Sequence, residues 1–320
     1  MALEIPAPNP ADESPHESGP EELWNESWYF DFCRPDGGLG GYVRIGKYPN
    51  LGVVWYWACL VGPDRKLVTV IDHEVPLPSG SSLEVRHDGL WADHNIEEPN
   101  ERWSLGLEAF AVQLDHPADT YHGAAGERVP FGFDLEWETD GEVFPFPIGL
   151  TRYEVPCTVH GEIQVGSDTI AFDGYGQRDH SWGLRDWWGL GWCWTAFRLD
   201  GSAERFHAVT TKPEGLFAMG YHQAPGATTE VVTHFSTQEH LDGEGIPDGP
   251  ITYELRAQDE GAPTRRMTVD PIAWSPVLLV APDGREARFP RAMSRFTDLD
   301  TGDTGLGWLE FGQPPPPPPA

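Results

Sequence analysis

Lysine is almost missing from this chain. Lys47, Lys66 and Lys212 are the only lysines among 21 basic residues, which face 51 acidic ones. The formal charge of −30 disfavours sequence-independent binding to nucleic acid or to anionic membrane surfaces. Cysteine is scarce as well. Cys33, Cys59, Cys157 and Cys193 are scattered with no C-x-x-C, so no disulfide framework is expected, and thiols in a reducing cytosol fit best. No apolar run approaches the roughly 18 residues that a transmembrane helix needs. The first residues carry neither a basic n-region nor an apolar h-region, so no secretory signal is expected and a cytoplasmic location is. There is no long stripe of period 3.6, which argues against a mainly helical fold. G-x-S-x-G, Walker and helix-opening G-x-G-x-x-G motifs are missing. Without H-x-x-x-H or H-x-H spacing, His207, His222 and His234 do not read as ligands, and no metal site is expected.

What the chain has is many short runs of β-branched and aromatic residues. Examples are Trp28–Phe32, Gly41–Ile45, Val53–Val61, Trp103–Leu107, Glu154–Gln164, Trp192–Leu199 and Glu230–Phe235. Turn signals such as Gly62–Asp64, Asp200–Gly201 and Pro282–Gly284 separate them. Spacing near ten residues predicts antiparallel sandwiches or barrels, and 320 residues suit two domains. A seam is expected near 145–152, where Phe144-Pro-Phe-Pro147 breaks the pattern. The expected division is therefore 21–150 and 151–312. Residues 1–20, rich in Pro, Glu and Ser, read as a disordered and dispensable tail. Residues 313–320 read as a solvated polyproline stub. Asp72-His73-Glu74 and Asp93-His94 read as turn residues. Arg44 is expected to pair with an acid such as Glu26.

The densest stretch is 174–194. Five of the 14 tryptophans, Trp182, Trp187, Trp188, Trp192 and Trp194, fall there among Arg178, Asp179, His180, Arg185 and Asp186. Indoles line cores or ligand cavities, and charged groups are rarely buried unless paired. The combination predicts a polar cluster against an aromatic wall, suited to a lipophilic molecule. In a strand Asp179 and His180 would point to opposite sides. Only a turn would join them, and Gly174, Gly176 and Gly183 permit one. Indole neighbours would favour a neutral Asp179 and arginines an ionised one. That leaves two readings open, a proton donor and a structural carboxylate in an Arg–Asp–His knot. On the strand that follows, Trp192, Trp194, Ala196 and Arg198 share one face, and Cys193, Thr195, Phe197 and Leu199 the other.

Gly176-Gln-Arg-Asp-His-Ser-Trp-Gly183 resembles the D-H-x-W-G signature of the carotenoid 1,2-hydratase (hydroxyneurosporene synthase) and AttH-like superfamily. Asn25–Tyr29, Gly41–Gly46 and Gly305–Glu310 resemble other segments of a bacterial branch of it. The resemblance spans about residues 21–312. It implies two consecutive lipocalin-like barrels, a lipophilic isoprenoid, steroid or polyketide substrate, and cofactor-free hydration, dehydration or cyclisation. It further implies that Asp179 is the proton-donating acid, with His180 and Trp182 as its motif neighbours. The carotenoid enzymes have a Tyr two residues before that Asp, where this chain has Gln177. On this reading Asp179 and His180 are catalytic. Gln177, Trp182, Arg185, Trp187, Trp188, Trp192 and Trp194 line the substrate pocket. The competing expectation is a carrier or sensor of the same class of molecule without turnover.

Overall fold

The computed structural model describes residues 2–315. Strands make up 59% of the chain and helix 3%, in line with the missing helical stripe. Two units divide the molecule.

The first unit holds Glu4–Asp115 and Ala125–Arg185. Its antiparallel sheet runs in the order Leu67–Pro76, Val53–Val61, Gly40–Tyr48, Trp24–Cys33, Asp168–Leu184, Arg152–Val165, Glu127–Thr139, Arg102–Leu114. Leu90–Glu98 and Val85–His87 continue the sheet beyond Arg102–Leu114, and Leu67–Thr69 pair in turn with Val112–Leu114. Inside are Trp28, Phe30, Val43, Ile45, Trp103, Leu105, Phe133, Trp137 and Val155, all buried. They alternate with residues facing outward, as the period of two requires.

The second unit runs from Asp186 and also takes in His116–Ala124. Its eight-stranded barrel is closed and begins with Gly191–Leu199. Closure removes the exposed edges that invite aggregation. Cys193, Phe197, Leu199, Phe206, Phe235, Tyr253 and Phe296 fill its interior.

Several expectations change. The division between units falls at Arg185, not near 150, because Arg152–Val165 and Asp168–Leu184 complete the first sheet. Residues 9–21 are tied down rather than disordered: Glu13 is fully buried, and Asn50 Nδ2 donates to the carbonyls of Gly19 and Glu21. Asp72–Glu74 and Asp93-His94 lie within strands Leu67–Pro76 and Leu90–Glu98, not in turns. Part of the polyproline stub, 316–320, lies outside the described residues. Among the described residues, no helix is long and apolar enough to cross a membrane.

Candidate functional site

The D-H-x-W-G motif sits on one 17-residue strand, Asp168–Leu184. Its glycines do not make a turn. Gly176 is needed because the neighbouring strand passes close: a Cβ there would stand 1.9 Å from the Asp31 carbonyl oxygen. The strand lies between Trp24–Cys33 and Arg152–Val165, with Asp179 opposite Tyr29 and Glu154, and His180 opposite Trp28 and Tyr153. In an extended strand successive side chains take opposite faces. Arg178, His180 and Trp182 therefore point inward, and Gln177, Asp179 and Ser181 outward. The expected orientation of Asp179 by His180 does not occur through side-chain contact.

On the inner side the N-terminal arm supplies the partners. Glu13 accepts from Arg178 Nη1 at 2.9 Å and from Trp103 Nε1 at 2.7 Å. Burial alone would lower the pKa of Arg178, but the Glu13 carboxylate reverses this and holds it above its usual value. His180 Nδ1 donates to the Asp12 carbonyl at 2.7 Å, and its Nε2 lies 2.9 Å from Glu26 Oε1. His16 Nδ1 lies 2.7 Å from the same oxygen, and its ring stacks on Trp182 at 3.9 Å. Glu26 thus belongs to His180 and His16, not to Arg44. The Arg44 guanidinium instead sits over the Trp57 ring at 4.5 Å.

On the outer side two carboxyl groups meet. Glu154 is fully buried and Asp179 is 8% exposed, in direct cross-strand register. Like charges so placed repel, and one guanidinium bridges them: Arg152 bonds Glu154 and lies 2.9 Å from Asp179. Gln177 Nε2 donates to Glu154 at 2.8 Å, while its backbone N–H donates to Asp31. The Arg185 pKa is pushed down to about 10, by burial first and by Arg152 second, with Asp179 opposing. Arg152 also borders a cavity of about 400 Å³ within the first unit. Phe146, Ile148, Leu150, Tyr153 and Trp182 line it on one side, and the arm residues Pro6–Asn9 and Asp12 on another. The Arg152 guanidinium lies over the Phe146 ring, 5.5 Å from its centre.

The remaining predicted tryptophans belong to the second unit. Trp187 and Trp192 pack on Phe289, and Trp192 Nε1 donates to Glu310. Trp188 is buried and donates to the Leu279 carbonyl. Cys193, Phe197 and Leu199 face the barrel core, so the Trp192/Trp194 face points away from it. Trp182 thus belongs to the first unit and the other four tryptophans to the second. Of the expected pocket residues, Trp182 borders the first-unit cavity. Gln177 and Arg185 stand with Asp179, Gln177 through Glu154.

Arg152, Glu154, Glu13, His16 and Glu26 were not singled out as site residues from the sequence. For Glu154 a signal existed: it is an acid inside an otherwise apolar run, Tyr153-Glu-Val-Pro-Cys157.

A search of curated proteins finds no match. Solved structures do align along nearly the whole chain. An AttH candidate from Nitrosomonas europaea superposes with TM-score 0.64 at 15% identity, covering 97% of both chains. Kievitone hydratase from Nectria haematococca gives 0.59 at 11%, covering 98% of this chain and 94% of that one. CghA gives 0.55 at 11%, covering 92% and 88%. These likenesses show a shared fold. The model of a family described as a domain of unknown function (DUF7064) matches residues 9–315, and the chain belongs to that family.

Proposed function

We propose, with that family and fold as the premise, that the protein catalyses cofactor-independent acid/base chemistry on a lipophilic metabolite. The reaction class is hydration, dehydration or cyclisation of an isoprenoid-, steroid- or polyketide-like molecule. The observation that carries this reading is the Glu154–Asp179 pair beneath Arg152. Against the pull of the Arg152 guanidinium toward ionisation, repulsion between two carboxyls in one buried site favours holding a proton between them. That is the property required of an acid that protonates an alkene or hydroxyl near neutral pH. Asp179, the less buried of the two, delivers the proton, and Glu154 and Arg152 set its charge state. Gln177 orients Glu154 through its amide. The cavity, which meets the pair at Arg152, supports a lipophilic substrate, and its lining includes the aromatic rings of Phe146 and Trp182. The kievitone hydratase likeness supports hydration as the first reaction to try.

A carrier without turnover is the second reading. The Asp179–Arg152 ion pair favours it, because such a pair also serves a purely structural role.

Deuterium oxide separates the two. The protein is incubated with a panel of isoprenoid, steroid and polyketide alkenes and alcohols, and products are read by mass spectrometry. The catalytic reading predicts enzyme-dependent deuterium at carbon in one substrate class. Binding, seen as indole fluorescence change, without exchange across the panel would support the carrier.

A further inference from the structure

We infer that the first unit contains a binding site for a divalent transition ion of the zinc class, formed by His16, Glu26 and His180. It lies on the inner face of the motif strand, so it stands or falls separately from the Glu154–Asp179 reading. The donor atoms are His16 Nδ1, Glu26 Oε1 and His180 Nε2, all within 4.8 Å of one another. Two imidazoles and one carboxylate make a donor set that suits zinc and its neighbours better than magnesium or calcium.

The hydrogen bonds around the cluster aim its donor atoms at one common centre. His180 Nδ1 faces the Asp12 carbonyl at 2.7 Å, and a carbonyl oxygen can only accept. Nδ1 therefore carries a hydrogen, and Nε2 points at a carboxylate oxygen 2.9 Å away. Between these two atoms there must lie a proton, held by the ring or by the carboxyl, or a metal ion. Fixing the tautomer through a carbonyl on the far nitrogen is also how metal-ligating histidines are held. The His16 backbone N–H donates to both Glu26 oxygens at 3.0 Å, which holds the carboxylate in place. Seating an ion at about 2.0–2.1 Å from each donor spreads them by a few tenths of an ångström. His16, on the arm and 24% exposed, can supply that movement, whereas His180 and Glu26 are nearly fully buried. An ion here would staple the N-terminal arm to the barrel wall.

The test uses the full chain, stripped with a chelator and titrated with Zn²⁺ by calorimetry, and with Co²⁺ for its visible d–d bands. The expected result is one tight ion per chain, four-coordinate cobalt bands and a raised melting temperature. Arm cleavage by a protease should also slow when zinc is present. His16→Ala, which touches a partly exposed side chain, should keep the fold and weaken binding by at least about 10- to 100-fold. Glu26→Gln should abolish the cobalt bands. Zinc binding of equal affinity in the wild type and His16→Ala would overturn the inference, since it would come from exposed histidines elsewhere. So would the lack of any zinc binding by the wild type.

Discussion

His94 is held as a neutral imidazole inside the first unit, beside Phe30 and Tyr56, and burial lowers its pKa to about 4. His73 accepts from Trp57 Nε1 at 2.8 Å, and burial, with Arg44 adding, lowers its pKa to about 4 as well. Between the ordinary value of 6.5 and about 4, the unfolded chain takes up these protons and the folded chain does not. Their linkage costs nothing above about pH 6.5 and grows as the pH falls toward 4. The slope is about 1.4 kcal/mol per pH unit for each group. Urea unfolding at pH 7 and pH 4.5 should therefore show a smaller pH-dependent loss in His94→Phe than in the wild type, by about 2–3 kcal/mol. An unchanged difference would contradict the neutral buried ring. In the sequence both histidines look like turn residues, because a short Asp-His pair carries turn chemistry. Strand pairing across Leu67–Pro76 and Leu90–Glu98 outweighs it. Asp179 was legible through the motif, whereas its partners Arg152 and Glu154 come from a different strand, and spacing along the chain does not reveal cross-strand register.

The N-terminal arm is the element where composition misled. Residues 1–20 are poor in apolar side chains, the usual mark of disorder. The arm is held by polar contacts instead: a short 3-10 turn, Pro10–Glu13, capped by Asn9, carries Glu13 to Arg178, Trp103 and the Asn100 N–H. Glu13→Ala should cost about 3–5 kcal/mol, because it leaves a buried guanidinium uncompensated. Deleting residues 2–20 should destabilise at least as much. A melting temperature within a degree or two of wild type after that deletion would refute the anchored arm. The motif strand misled in the opposite way. Its glycines read as turn formers, but Gly174 and Gly176 make room for the adjacent backbone, and Asp179 and His180 stay on opposite faces. That geometry follows from the period of two once the segment is a strand, whereas residue types along the chain fit a strand and a turn alike.

At the scale of the molecule, the all-β architecture was legible, because alternating runs and turn residues at short intervals leave few alternatives. The position of the division was not. Phe144-Pro-Phe-Pro147 interrupts the pattern, yet the chain returns to the same sheet through Arg152–Val165 and Asp168–Leu184. A fragment ending at residue 150 lacks two strands of the first sheet and exposes both edges of the gap. It should show no cooperative thermal transition by circular dichroism, and a sharp transition would contradict the assignment of those strands to the first unit.

The most direct test of the central claim, that the carboxyl pair beneath Arg152 transfers the proton, is Asp179→Asn measured three ways. Arg152 keeps its contact with Glu154 in this variant, so the melting temperature should fall only modestly, by less than breaking an isolated buried pair would cause. Ligand affinity should change little, while turnover in the deuterium assay should drop by about 10²- to 10⁴-fold. A stable variant with full turnover would contradict the account.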